Sequence, residues 1–419
     1  MAKTTRIGLM IPMDFAYCRH VLRGIRRYAL RAKSWVFRYN IAAPETVSAF
    51  AAWPADGVIA YVPRQDLADQ LSSMGKPVVN VSAVLTQTTF PRVMPDGEAI
   101  GQLGAEDLLR RGFRNFAYTG YIGLAYSAHR QEGFVSKVRA AGHECHLHDE
   151  PGTSIIELPT QTWRDTADGL KRFIDSLPRP VGIMGCNDRS AWSVLEVCRE
   201  LRLRVPEDVA VIGVDNDELV CELARPPLSS VAFPAERIGY EAAAILDKTL
   251  RGVPAPAEPR LIPPVGVVTR QSSDILAIDD EHVSAAVRFI REHISRVINV
   301  ADVLAAVPVA RRSLERNFRL LVGRSPLQEI RRVRMDRAKQ LLSQTHLAMP
   351  EVAAQAGFSN ARWLSTVFQA ELGMSPTAYR RSFRMRDFVG EFAEEDSAAA
   401  QAQPESAAAR QPQAVAESV

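Results

Sequence analysis

Four short apolar runs in the front half of the chain each end in polar side chains. Residues 209–214 run into Asp215, Asn216 and Asp217, and residues 181–185 run into Asn187 and Asp188. Residues 115–120 lead through a loop to Ser127-Ala128-His129-Arg130, and residues 7–11 run into Asp14 and Phe15. Carboxylates, amides and a guanidinium at fixed strand ends suit hydrogen bonds to hydroxyl groups, and an aromatic ring can stack beside them. Taken singly, an Asp or Asn after a strand is equally well explained as the N-cap of the next helix. Four strand ends sharing the pattern favour a polyhydroxylated ligand.

A second chemistry lies in the last third. Residues 281–390 hold 18 Lys+Arg against 9 Asp+Glu, and 17 of those cations are Arg. The planar guanidinium fork grips phosphate and the O6/N7 edge of guanine, which lysine cannot do bidentately. The whole chain nets only +3, because residues 1–280 are nearly neutral and residues 391–419 carry one cation against six carboxylates. That acidic end, rich in Ala, Gln, Pro and Ser, is too poor in apolar residues to fold.

Other chemistries are absent from the pattern. No dinucleotide fingerprint G-x-G-x-x-G follows the first strand, and no phosphate-binding G-x-x-x-x-G-K-[ST], G-x-S-x-G or H-E-x-x-H occurs. No catalytic set, cofactor or metal site is therefore expected. In His143-Glu144-Cys145-His146-Leu147-His148-Asp149 a strand would put His146 and His148 on one face, where two histidines can bind a metal; a solvated sheet edge is the simpler reading. Cys18, Cys145, Cys186, Cys198 and Cys221 are odd in number and form no C-x-x-C pair, which suits reduced, mostly buried thiols.

The elements that must position these residues follow from length and periodicity. At 419 residues, 47% hydrophobic and 24% charged, the chain suits two or three folded domains. No apolar run approaches the roughly 18 residues that span a bilayer, and the N-terminal run is too short for a secretion signal, so no membrane partner and a cytoplasmic location are expected. Strands are expected at 6–11, 57–61, 77–81, 115–119, 181–184 and 209–214, with helices at 18–32, 97–111, 129–141, 163–176, 189–201 and 236–250. Continuous apolar strands alternating with helices predict an α/β fold of two doubly wound lobes. Ligands bind such sheets at the carboxyl ends of the strands. Five prolines between 254 and 264 predict an extended, irregular segment. Domains are expected at 1–275 and 283–385, with a linker at 276–282 and a disordered tail at 386–419.

The basic region reads as an all-α domain. Helices are expected at 300–307, 310–321, 326–344, 350–356 and 361–372, with stops at Gly323 and Gly373. Leu314, Phe318 and Leu321 face the core of the second, and Leu364 and Phe368 repeat the first two about 50 residues later. Two helix-turn-helix units joined by one helix can read successive major-groove segments. Arg311, Arg312, Glu315 and Arg316 fall on the first reading helix, and Asn360, Arg362 and Thr366 on the second. Glu315 can accept from cytosine or pair with Arg311 or Arg319 one turn away. Trp363 is expected to pack rather than touch bases.

These residues carry a resemblance. Residues 283–384 resemble the AraC/XylS-type DNA-binding domain through Leu314-Glu315-Arg316-Asn317-Phe318, Ala338, Leu341-Leu342, Val352-Ala353, Gly357-Phe358-Ser359, Phe368 and Gly373-Met374-Ser375-Pro376 with Tyr379-Arg380. Ala310, where the family often has a capping Ser, and Leu364, where Phe is usual, depart from it. Residues 6–270 resemble the effector domain of LacI/GalR-type repressors, a periplasmic-binding-protein-like fold, through residues 127–134, Asn187-Asp188, residues 205–215 and Pro226-Pro227-Leu228-Ser229-Ser230-Val231. That likeness implies sugar contacts at Arg130, Asn187 and Asp215, and also at Asp96, Trp163 and Phe233. The order of the two parts is similar to that of bacterial xylose-operon regulators. The resemblance implies a homodimeric regulator that binds double-stranded DNA under control of a pentose, and that meets RNA polymerase if it activates. The rival from another class is a sugar-processing enzyme with an appended DNA-binding module.

Overall fold

The computed structural model describes residues 4–32, 34–40, 47, 53–85, 88–151, 163–274, 280–345 and 347–384. The first lobe contains β1 (Thr5–Met10), α1 (Ala16–Ala32), β2 (Trp35–Asn40), β3 (Gly57–Ala60), α2 (Gln65–Ser73) and β4 (Val78–Asn80). Its strands form a parallel sheet in the order β2-β1-β3-β4. The chain then passes through β5 (Val93–Pro95) into the second lobe. There follow α3 (Gly97–Arg110), β6 (Asn115–Ile122), α4 (Ala125–Ala140), β7 (Cys145–Pro151), α5 (Trp163–Ser176), β8 (Val181–Gly185), α6 (Asp188–Glu200), β9 (Val209–Val214), α7 (Glu218–Leu223) and β10 (Ser229–Ala232). Next, α8 (Ala235–Leu250) returns to cover the first sheet, packing on α1, β3 and β4. Strand β11 (Arg260–Ile262) pairs with β5, and β12 (Gly266–Val268) closes the second sheet antiparallel to β10. That sheet has the order β12-β10-β9-β8-β6-β7. Every residue of β8 and β9 is buried, as expected for continuous apolar strands covered on both faces.

Two helix pairs meet backbone to backbone. A Cβ at Gly101 of α3 would lie 2.0 Å from the Arg130 carbonyl oxygen of α4, and one at Gly133 of α4 would lie 2.0 Å from that of Glu98. Gly24 of α1 and Gly239 of α8 repeat the arrangement, 1.9 Å from the carbonyl oxygens of Glu236 and Val21. Only a missing side chain permits such approach.

The C-terminal part is helical: α9 (Glu281–Glu292), α10 (Val300–Ala306), α11 (Arg311–Val322), α12 (Pro326–Gln344), α13 (Met349–Gln355), α14 (Ala361–Leu372) and α15 (Pro376–Arg384). Asp280 caps α9 by accepting from the Val283 amide, and Asn299 with Asp302 forms a capping box on α10. Gly323 and Gly373 end α11 and α14 in the left-handed conformation, so both expected stops are built from the residue type they need. Leu314 and Phe318 are buried in one core with Val287, Ile290 and Ile330. Leu364 and Phe368 are buried in a second core with Leu342, Val352 and Ala353. Helix α12 contributes to both.

Several expectations need correction. Leu321 is 41% exposed rather than core, because α11 turns only Leu314 and Phe318 inward. Helix α4 begins at Ala125, four residues ahead of the expected start at 129. Strand β11 forms inside the proline-rich segment, and β2 was not anticipated. Helix α9 begins at Glu281, so the last two residues read as linker are helical. His146 is exposed, but His148 stacks on Phe173 at 5.0 Å and is not on a solvated face. The five cysteines are free, four of them buried. The tail at 386–419 lies outside the described residues.

Candidate functional site

The carboxyl ends of both sheets face each other across a cavity of about 190 Å³. The first lobe supplies Asp14, Phe15, Tyr17, Cys18 and Tyr61, and the second supplies Tyr126, Arg130, Asn187, Asp188, Arg189, Asp215 and Asp217, while Pro95 and Phe233 flank the crossings between lobes. Seven of the nine ligand contacts expected from sequence (Asp14, Phe15, Arg130, Asn187, Asp188, Asp215 and Phe233) therefore line one space. Asp96 does not: its side chain accepts the Ala99 amide at 3.0 Å as the N-cap of α3. The strand-end cap, weighed against a ligand contact, describes this residue. Trp163 begins α5, but its side chain lies outside the described residues.

Arg130 is the centre of the polar wall. Its Nη1 donates to the Cys186 carbonyl, and its Nη2 lies 3.3 Å from Asp215 Oδ1. Its guanidinium sits 5.1 Å from the Tyr126 ring centroid and 5.9 Å from that of Phe233, close enough for cation–π attraction. The Gly101–Gly133 contact fixes the backbone from which Arg130 extends. On the opposite side Tyr17 meets Phe233 at 6.0 Å and Tyr61 at 6.5 Å, which gives the cavity an aromatic wall. An arginine–carboxylate pair beside aromatic rings can bind hydroxyls along one edge of a sugar and stack on its face.

Asn187 and Asp188 act partly through their neighbours. Asn187 Oδ1 accepts the Ser190 amide at 2.9 Å, and its Nδ2 donates to the Tyr126 hydroxyl at 3.3 Å. Asp188 accepts from the Ser230 hydroxyl at 2.6 Å and the Asp217 amide at 2.8 Å. It thereby ties down the loop that carries Asp215. That loop is strained, with φ of +103° at Asp215 and +49° at Asn216; such non-glycine geometry persists where the surroundings enforce it and clusters at ligand sites. Burial raises the Asp188 carboxyl well above its ordinary value, and the Asp215 charge raises it further. Burial also raises Asp215, against the opposing pull of Arg130.

Sequence reasoning missed Tyr17, Tyr61 and Tyr126. Tyr61 follows directly on β3, the one remaining strand end that carried a usable signal. Tyr17 and Tyr126 lie on the helical turns beside residues that were singled out.

The basic module presents a different surface. On α11, Arg311 Nε donates to Glu315 Oε1 at 2.9 Å, while Arg312 and Arg316 are exposed. The i,i+4 pair weighed for Glu315 is thus present. Ala310 makes no side-chain cap, yet the helix begins at Arg311. On α14, Asn360 caps the helix by accepting the Trp363 amide at 2.8 Å, Arg362 is exposed, and the Thr366 hydroxyl donates to the Arg362 carbonyl. Asn360 is thus held at the helix start through its Oδ1, and the residue is exposed. Trp363, expected to pack in the core or against the DNA backbone, is 46% exposed and so is not a core residue.

Comparison with known proteins agrees with this division. Residues 105–273 match the periplasmic binding protein-like domain family, and residues 303–382 match a helix-turn-helix domain family. The chain is a DNA-binding transcription regulator, with a periplasmic-binding-protein-like domain in front of an AraC-type helix-turn-helix module. Over most of its length it is similar to the xylose operon regulatory protein of Escherichia coli K12, 29% identical over 386 residues that cover 90% of this chain and 97% of that protein. The xylose operon regulatory protein of Haemophilus influenzae is 28% identical over 386 residues, covering 90% and 98%. Among solved structures, that of the xylose-binding transcription activator xylR superposes with a TM-score of 0.61 at 28% identity, covering 91% of this chain and 99% of that one.

Proposed function

We propose that a small sugar, xylose or another pentose, binds between the two lobes and controls DNA binding, so that genes of sugar catabolism are switched on when it is present. The observation that carries this reading is the Arg130–Asp215 pair set against the Tyr17–Phe233 aromatic wall in a cavity of about 190 Å³. Asp14, Asn187 and Asp217 offer further hydroxyl partners, and Phe15 a further ring. The relatives' names point to the same ligand.

A ligand shifts a conformational equilibrium only by binding one state better than the other. Sugar contacts drawn from both lobes favour the closed arrangement. In a homodimer, closure reorients the two basic modules toward DNA half-sites; the reading helices expose Arg311, Arg312, Arg316, Arg319 and Arg362, of which Arg311 is paired with Glu315. As an activator in the cytoplasm, the DNA-bound dimer then engages RNA polymerase. No helix among the described residues is long and apolar enough to cross a membrane.

The test is a calorimetric titration of pentoses and hexoses into the full chain, paired with fluorescence anisotropy of promoter DNA with and without sugar. A sugar-dependent change in DNA affinity is expected. Unchanged DNA affinity at saturating sugar would refute the switching mechanism, and turnover of the sugar would favour the enzyme instead.

A further inference from the structure

We propose that the junction between the second lobe and the helical module is a second effector site, which takes the phosphoryl group of a phosphorylated polyol on Arg291. A cavity of about 520 Å³ lies there, walled by Thr269, Arg270 and Asp274 from the lobe and by Arg291, Asp336 and Arg337 from the module. It is separate from the sugar cavity and shares no lining residue with it.

Arg291 lies near the end of α9, with its side chain 9% exposed. None of its three guanidinium nitrogens finds a hydrogen-bond acceptor among the described residues. The nearest carboxylates, Asp274 at 3.5 Å and Glu329 at 3.9 Å, form ion pairs with it but accept no hydrogen bond from it. Burial holds its pKa down at about 10, against the pull of those carboxylates. A buried guanidinium carries five donors, and leaving all of them idle is rare in folded proteins.

Two of the surrounding carboxylates are hydrogen-bonded elsewhere: Glu329 accepts from Arg324 and Arg332, and Asp336 accepts from Arg332 at 2.6 Å. Asp274 sits between Arg291 and Arg111, at 3.5 and 3.6 Å, and is hydrogen-bonded to neither. Among the described residues, the other two cations of the cavity wall hydrogen-bond only to neutral groups. Arg270 donates to the Leu228 carbonyl and to Asn216 Oδ1, and Arg337 donates to Gln340 Oε1. Three guanidiniums therefore face one space, and among the described residues no carboxylate is hydrogen-bonded to any of them, Asp274 pairing with Arg291 only at 3.5 Å. Glu222 lies at its exposed rim. A phosphoryl group offers the acceptors that such donors lack. Ser295, Gln271 and Gln355 also line the cavity and suit hydroxyls, which makes a polyol phosphate a better fit than the bare ion.

The site is wired to the first one. Arg270 holds Asn216, the neighbour of Asp215 in the sugar cavity, so an anion that draws on Arg270 acts on the strained loop. By linkage, each ligand then changes the affinity for the other by the same factor.

The experiment is calorimetric titration of the full chain at fixed ionic strength with glycerol 3-phosphate, inorganic phosphate, glycerol and chloride. Saturable binding of both phosphates is expected, tighter for glycerol 3-phosphate, with none for glycerol or chloride. Arg291→Met should lose it while melting cooperatively. If that variant fails to fold, half-buried Arg337→Gln serves instead and should weaken binding at least tenfold. Absence of phosphate binding above the chloride control, or binding unchanged in a folded variant, would overturn the site. Equal affinity for the two phosphates would overturn its polyol part.

Discussion

Asp215 is the residue at which the sensing mechanism can be tested most sharply. It follows directly on β9, faces the interlobe cavity with its side chain 28% exposed, and places Oδ1 3.3 Å from Arg130 Nη2. A hydroxyl hydrogen bond to a charged acceptor contributes about 1.5–3 kcal/mol. Asp215→Ala removes that acceptor, so sugar affinity should fall roughly 10- to 150-fold at about 1.4 kcal/mol per decade. Asp215→Asn keeps the shape and one acceptor oxygen, and should lose less. Removing one partner of a fully buried ion pair costs about 3–5 kcal/mol of stability. With 28% exposure, a 3.3 Å separation and the Cys186 carbonyl still accepting from Arg130, the loss here belongs at or below the bottom of that range. The reading helices belong to other hydrophobic cores, so DNA affinity without sugar should stay the same. Calorimetry reads the first effect, and anisotropy on promoter DNA reads the second. Sugar affinity within threefold of the parent protein would refute the role of Asp215, and loss of sugar-free DNA binding would refute the separation of the two parts.

Other outcomes follow from the same geometry. Because the Asp215 carboxyl is pushed up to about 6, chiefly by burial, sugar affinity should be full above that pH and fall as pH drops through it; an ordinary aspartate would delay the fall to about 4. For stability the sign is opposite: a raised carboxyl pKa favours the folded state at low pH, a contribution lost as pH rises through it. Arg316→Ala should cost about 1–3 kcal/mol at the specific DNA site, if Arg316 reads a base, and lower the salt dependence of binding; an electrophoretic shift titration at two salt concentrations checks both. Glu329 is fully buried among Arg324, Arg332 and Arg291, so Glu329→Gln should destabilise the chain by roughly 3–5 kcal/mol in urea unfolding. Its carboxyl is held down at about 2, so its contribution is complete above the ordinary glutamate value and is lost as pH falls toward 2. Gly101→Ala should lower stability by about 1–3 kcal/mol and weaken sugar binding, since the added carbon collides with the Arg130 carbonyl.

How much was legible beforehand depended on whether chemistry or packing set a residue's position. Strand β9 was readable to its last residue because an unbroken apolar run buried on both faces has few alternatives. The edge strand β2 has no such pattern, and its Val36, Phe37 and Tyr39 remain partly exposed. Asp215 and Arg130 were found because polar groups at strand ends are recognisable. Asp96 has the same local signature but caps a helix, and only the direction of α3 separates the two cases. Tyr17 and Tyr126 escaped because an aromatic on a first helical turn reads as core until the opposite lobe is in place. The ring of charges around Arg291 was not legible at all, since it joins residues from positions 111, 274, 291 and 329.

The paired glycines of α3 with α4 and of α1 with α8 have a consequence beyond placing Arg130. Helices that touch through bare main chain cannot slide or swing against each other without steric overlap, so each half of the sensor behaves as a stiff block. Little of the energy released when a metabolite arrives is then dissipated in local rearrangement. On the proposed switching mechanism it emerges as rotation at the crossover segments, the coarse movement that distant DNA-reading helices can follow.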